Sequence, residues 1–243
     1  MKTTPNTPTF IKAITVDLDG TLWDNEPVLA NADCQLHDWF KAHYPLLAEK
    51  FSIENLRALR DDLADGDPRL RYDMTALRKA TLRIAVEEAG YGAGVAEEAY
   101  NIFMSHRNQV ELYDDVLPVL ERLSTSYTLC SLTNGNADVD EVGLGHVFHI
   151  SLWTSKVNAA KPAPDMFREA CRRAGTRPAE TVHVGDEPET DIVGALAAGL
   201  KTVWINRHSR TWTHAQSPHA EIPSLRELET LLASWQRAEA SDA

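Results

Sequence analysis

The sequence predicts a doubly wound α/β fold, a mainly parallel sheet flanked by helices, with a helical segment inserted near its start. Three observations predict it. The run Phe10-Ile11-Lys12-Ala13-Ile14-Thr15-Val16 is short, β-branched and bounded by turn signals, as a buried strand is. From about Leu112 onward, strand and helix patterns alternate. Between these parts, from about Pro27 to Arg107, the chain is rich in Ala, Leu, Glu and Arg at helical spacing and carries few strand signals.

Within the insert, residues 31–44, 52–64, 72–89 and 95–108 read as helices. Asp65-Gly66-Asp67-Pro68 and Gly90-Tyr91-Gly92-Ala93-Gly94 separate them as breakers. Beyond it, 115–123 reads as a helix and 127–132 as a strand running into Thr133-Asn134-Gly135-Asn136. A short strand follows over 149–153, then a helix over 163–174 with a proline-rich start. Residues 181–184 read as a strand running into Gly185-Asp186, 190–198 as a helix, 201–205 as a strand and 224–235 as a closing helix. The tail after Arg237 reads as frayed. The expected organisation is a discontinuous α/β domain, 9–24 plus 111–236, and a helical domain over 25–110.

The 243 residues, 43% hydrophobic and 25% charged, suit a soluble globular protein with one large core or two modest ones. The net charge of −12, with no cluster of Lys or Arg, argues against nucleic acid as a partner. A small phosphorylated metabolite remains compatible, because a bound metal and a few donors dominate a local site. Cys34, Cys130 and Cys171 are odd in number and far apart, so a disulfide framework is not expected and a reducing cytoplasm fits. Residues 1–8 lack an apolar segment of signal-peptide type. No run of about 18 apolar residues occurs, so no membrane span is expected. A monomer and a homodimer are equally compatible with the sequence.

The chemistry concentrates where strands end. Asp17 and Asp19 place two carboxylates one residue apart after a buried strand, followed by Gly20-Thr21. Like charges so close repel and lose hydration, and a divalent cation relieves both. Such a pair also allows divided labour, one carboxylate as nucleophile and the other as proton donor and acceptor. In a doubly wound sheet, ligands bind beyond the carboxyl ends of the strands. Asp17/Asp19, Thr133/Asn134 and Asp186/Glu187 each follow a strand, so they are expected to converge on one edge despite their separation in sequence. His183, inside a strand, reads as a core histidine. Trp39, Trp204 and Trp235 read as packing residues, and 208–214 as a loop at the rim of the site.

Four segments in this order, Asp17-Leu18-Asp19-Gly20-Thr21, Leu132-Thr133-Asn134, Lys161-Pro162 and Gly185-Asp186-Glu187-Pro188-Glu189-Thr190-Asp191, resemble the motifs of haloacid dehalogenase-like phosphatases. The stretches from Thr133 to Asn136 and from Lys161 to Phe167 are similar to the capped subfamily I. The resemblance implies a Rossmann-like core, a cap made by the insert, and Mg²⁺-dependent hydrolysis of a phosphate monoester. Carried over by position, Asp17 is the nucleophile that forms an aspartyl-phosphate, Asp19 the acid/base, Thr133 a phosphate-binding hydroxyl and Lys161 the neutralising cation. Asn134 and the Gly135 N–H would also bind substrate. Asp17, the Asp19 carbonyl and Asp186 would hold Mg²⁺, with Glu187 and Asp191 behind them. The insert would supply specificity, with Asn25 and Arg78 as substrate contacts and Arg71, Tyr72 and Arg107 as further candidates.

Within the same superfamily, a phosphomutase and a 2-haloacid dehalogenase are rival readings. A non-catalytic binding module is a third. The form of the first motif from Asp17 to Asp24, residues 133–136 and the segment Tyr72-Asp73-Met74-Thr75 with Arg78 resemble bacterial phosphatases acting on flavin mononucleotide or a riboflavin precursor.

Overall fold

The computed structural model describes residues 10–241. The segment 1–8 read for a signal peptide, the domain boundary at Thr9 and the last two residues lie outside them. Six strands form one sheet: β1 (Ala13–Val16), β2 (Thr128–Thr133), β3 (Ile150–Trp153), β4 (Thr181–Gly185), β5 (Lys201–Ile205) and β6 (Ala220–Ile222). Their order is β3-β2-β1-β4-β5-β6, and every neighbouring pair is parallel. This is a Rossmann-like α/β sheet, and its order reverses between β1 and β4, the point where such sheets bind ligands at their carboxyl ends. All residues of β1 and β4 are buried, as strands covered on both faces must be. β6, three residues long at the sheet edge, has too little sequence to show a period and was not expected.

The insert folds as α1 (Asn25–His43), α2 (Pro45–Lys50), α3 (Ile53–Gly66), α4 (Met74–Glu88) and α5 (Gly94–Arg107). α1 begins six residues before the expected start, because Asp24 caps it by accepting from the Glu26 N–H and Pro27 is tolerated in a first turn. The short α2, with Pro45 at its first position, was not expected. Leu36, Phe40, Leu82, Ala85 and Phe103 form the centre of an apolar core shared by these helices. A second core, around Ile14, Val16, Leu120, Val182 and Leu232, lies against the sheet.

The remaining helices are α6 (Val116–Ser124), α7 (Thr154–Val157), α8 (Pro164–Ala174), α9 (Gly194–Ala198) and α10 (Leu228–Ser241). The expected helix over 190–198 starts instead as a π turn, Pro188–Val193, that leads into α9. The closing helix follows a 3₁₀ turn capped by Ser224, and it continues through Ser241 rather than fraying after Arg237. Among the described residues, no helix is long and apolar enough to cross a membrane.

Candidate active site

Asp17 directly follows β1, Thr133 ends β2 and Asp186 directly follows β4, so parallel register alone brings them to one end of adjacent strands. Lys161 and Asp191 join them. Lys161 is 2% exposed, and its Nζ donates to Asp17 Oδ1 at 2.5 Å and to Asp191 Oδ1 at 2.6 Å. The segment carrying Lys161 is clamped by Asn134, whose Nδ2 donates to the Lys161 carbonyl (2.7 Å) and whose Oδ1 accepts from the Lys161 N–H (2.8 Å). Asn134, expected on the substrate, therefore holds the lysine. The Gly135 N–H, also expected on the substrate, donates to Thr133 Oγ1 at 2.8 Å. That bond leaves the Thr133 hydroxyl proton available as a donor.

Electrostatics follow from burial and crowding. Burial pushes the Asp17 carboxyl well above the usual range; Lys161 opposes this, while Asp191 and Asp186 add to it. Asp186 is pushed up to about 7, first by burial and then by Asp191, against a hydrogen bond from the Thr21 hydroxyl (3.0 Å). Burial also works against Asp191, but Lys161 overcomes it and holds that carboxyl well below the usual range. Lys161 would be lowered by burial, yet Asp17 and Asp191 hold it above its ordinary value and so protonated.

Carboxylate oxygens of Asp17, Asp186 and Asp191 lie within 4.8 Å of one another. Hard oxygen donors so grouped fit a divalent cation. Asp191 is already engaged by Lys161 and by the Glu187 N–H (2.9 Å), which leaves Asp17 and Asp186 as the side chains suited to ligate. Glycines keep this region open. A Cβ on Gly20 (φ +81°) would lie 2.6 Å from Asp186 Oδ2, and one on Gly185 would lie 2.4 Å from Asp191. One on Gly135 would lie 2.4 Å from Asp19 Oδ2.

Asp19 accepts from Trp23 Nε1 at 3.0 Å and from Arg107 Nη2 at 2.5 and 2.7 Å. Glu187 is on the rim, paired with Arg210 Nη1 (2.7 Å). Arg210 also donates through Nη2 to the Asp186 carbonyl, as does Trp204 Nε1 at 2.8 Å. The loop 208–214 therefore does reach the site, through an arginine that no local pattern marks. Trp204, read as packing, is buried and also holds a backbone group of the site.

Asn25 is the first residue of α1, with its Oδ1 buried and without a hydrogen-bond partner among the described residues. Arg78, expected on the substrate, is turned into the insert. It is 8% exposed, donates to Asp33 Oδ1 at 3.0 Å and stacks 3.8 Å from the centre of the Phe103 ring. A guanidinium so committed is not presented to the sheet edge. His183 is fully buried, as expected of a core histidine, with Nδ1 2.8 Å from the Thr15 hydroxyl and Nε2 3.4 Å from Asp191 Oδ1.

A cleft of about 670 Å³ lies beside Thr133, between α5 and the ends of β2 and β3. Tyr100, Asn101 and Met104 line it from the insert, and Asn136, Ser151 and Trp153 from the sheet side. The Thr154 hydroxyl bonds to the Tyr72 carbonyl (3.2 Å) and the Asp138 N–H to Asn108 Oδ1 (3.1 Å), so both parts are joined at the cleft margin.

Comparison with known proteins accords with this geometry. The chain is 30% identical over 230 residues to the 5-amino-6-(5-phospho-D-ribitylamino)uracil phosphatase YigB of Escherichia coli, covering 91% of this chain and 96% of that one. It is similar to a solved structure of a 2-haloacid dehalogenase from Pseudomonas syringae, at TM-score 0.87 and 39% identity, covering 93% of this chain and 100% of the other. It also resembles a phosphatase structure from Thermococcus onnurineus, at TM-score 0.68 and 28% identity, covering 91% and 98%. Residues 11–199 match the haloacid dehalogenase-like hydrolase family. With its four motifs gathered at one end of a parallel sheet, the chain belongs to that family.

Proposed function

We propose that this protein is a Mg²⁺-dependent phosphatase that hydrolyses a small phosphorylated metabolite through an aspartyl-phosphate. The observation that carries the reading is Asp19. A second carboxylate stands two residues after the buried Asp17, its position fixed by Arg107 and Trp23, and a carboxyl group there can exchange a proton with an ester oxygen and then with water. A dehalogenase displaces halide, which needs no protonation, and has no use for a metal pair at Asp17 and Asp186. A binding module has no use for an acid/base at all.

In this reading the phosphate binds at the carboxyl edge between Thr133 and Lys161. Asp17 attacks phosphorus, and Asp19 protonates the leaving oxygen. Asp19 then takes a proton from the water that cleaves the aspartyl-phosphate and restores Asp17. Lys161 balances the charge of Asp17 and the phosphate, while Asp191 orients Lys161 and Asn134 fixes its backbone. Mg²⁺ would be held by Asp17, Asp186 and the Asp19 carbonyl, and when bound it neutralises charge between nucleophile and phosphate. The insert, residues 25–110, serves as a cap over the α/β domain formed by 9–24 and 111–236.

We further propose a flat ring on a flexible phosphorylated chain as substrate, as in flavin mononucleotide or a riboflavin precursor. The named activity of the Escherichia coli relative and the aromatic side chains of Tyr100 and Trp153 in the cleft support it. Purified protein with Mg²⁺ is expected to release phosphate from 4-nitrophenyl phosphate and no halide from 2-chloropropionate. Across metabolites, kcat/KM is expected to be higher for flavin mononucleotide than for sugar phosphates. Halide release without phosphate release would replace the reading with the dehalogenase one. A preference for sugar phosphates would remove the flavin assignment alone.

A further inference from the structure

Arg107 is the last residue of α5, so it belongs to the insert, yet its guanidinium contacts the loop after β1. It is 1% exposed, among the largest fully buried side chains of the molecule. Nη2 bridges both oxygens of Asp19, at 2.5 and 2.7 Å, while Trp23 Nε1 approaches Oδ1 and Gly135 closes on Oδ2. The other donors, Nε and Nη1, are buried without a partner among the described residues. Burying an arginine with two unmet donors is unfavourable, so the ion pair with Asp19 is what its placement secures.

Resting on the phosphatase reading above, we propose that Arg107 is the positioning residue of the acid/base, setting the carboxylate of Asp19 where it exchanges a proton with the substrate. In the first step an Asp17 oxygen forms a bond to phosphorus as the ester P–O bond breaks. The ester oxygen keeps that bonding pair and takes the proton from Asp19. Asp19 is left as the carboxylate, and the Arg107 contact observed here is the one it then makes. In the second step water forms its bond to phosphorus and gives a proton to Asp19, and the Asp17–phosphorus bond breaks. Nη2 sits between the two oxygens, so Arg107 can keep one while the other faces the ester oxygen or the water. Arg107 comes from the insert and Asp19 from the sheet edge, so proton transfer is tied to the seating of the insert.

The test is a leaving-group series with the Mg²⁺-loaded enzyme: 4-nitrophenyl, phenyl and primary alkyl phosphates. A good leaving group departs without a proton, whereas an alkoxide needs one. Arg107→Met is expected to lower kcat/KM about a hundredfold or more for alkyl phosphate and less than about tenfold for 4-nitrophenyl phosphate. Asp19→Asn should give the same steepened dependence, the double variant should be no worse than Asp19→Asn, and Arg107→Lys should recover part of the alkyl activity. Equal losses across the series, or additive losses in the double variant, would overturn the proposal. Thermal melting of each variant separates these outcomes from misfolding, and Arg107→Lys serves if Arg107→Met does not fold. A wild-type enzyme releasing no phosphate from any ester would instead remove the underlying reading.

Discussion

Asp33 in the insert and Asp17 at the sheet edge are both buried carboxylates beside buried cations, and they differ in charge balance. Asp33 is met by two guanidiniums, Arg78 at 3.0 Å and Arg57 at 2.9 Å. That cluster joins α1, α3 and α4, and the Phe103 ring under Arg78 adds α5. Its one carboxylate has two cations, and Arg57 is half-exposed, so no negative charge is left over. At the sheet edge a single buried ammonium, Lys161, serves Asp17 and Asp191, with Asp186 close enough to complete three carboxylates. Arg210 approaches the Asp186 carboxylate only from the half-exposed rim, at 3.6 Å. A buried carboxylate with cations to spare, one of them reaching solvent, ties helices together; a cluster with surplus negative charge is unfavourable unless a cation binds. The difference separates scaffold from site without reference to any motif.

The most severe way to break the comparison is Asp17→Asn. Turnover is expected to fall at least about a thousandfold, since the proposed nucleophile is gone. Melting should be unchanged or higher, because Lys161 keeps Asp191 and a repulsive charge is removed. Phosphate release and thermal melting, measured together, check both halves. Activity within tenfold of the wild type would exclude Asp17 as the nucleophile.

Metal removal acts on the surplus directly. A chelator is expected to abolish activity, Mg²⁺ to restore it, and Asp186→Ala to prevent the restoration. The metal-free protein should also carry a pH signature. Asp186 has a folded value of about 7 against an ordinary 3.8. Between those values the folded state holds a proton that the unfolded state has lost, so stability falls as pH rises through about 7. The loss between pH 5 and 8 is about 2–3 kcal/mol, so melting temperature of the chelated protein is expected to drop by roughly 5–10 °C, at about 2–4 °C per kcal/mol for a chain of this size. Saturating Mg²⁺ should flatten that slope. An unchanged slope with Mg²⁺ would argue against Asp186 as a ligand.

Arg78→Met sharpens the comparison from the side of the insert. It leaves Asp33 buried with Arg57 alone, which is expected to cost about 2–4 kcal/mol of stability, read from urea unfolding. The kcat/KM of the folded variant should change less than about threefold. A large loss of activity with little loss of stability would return Arg78 to the substrate site.

Asp17, Thr133 and Asp186 were legible as one group because each stands at a strand end, and Lys161 because it precedes a proline at a helix entrance; Asp191 stands in no such pattern and entered only through the motif resemblance. Asn134 and Gly135 were legible as neighbours of the site but not in their bonds. A side-chain amide that clamps the backbone 27 residues away carries no mark in its own segment. Arg78 and Arg107 show the limit most clearly. Both are arginines on amphipathic helices of the insert, and nothing local distinguishes them. Packing of α1, α4 and α5 turns one onto Asp33 and brings the other to Asp19. Arg210 lies in a loop without periodicity, and only the return of β5 beside β4 carries it to Asp186 and Glu187.

By itself the sequence determined the alternation of strands and helices, the place of the insert and the carboxylates at the strand ends, because hydrophobic period and turn chemistry are properties of neighbouring residues. The tertiary structure alone decided which charges are neutralised and which are left in surplus. Charge balance depends on distances between side chains far apart in the chain, and those distances are set by how the helices of the insert and the strands of the sheet pack.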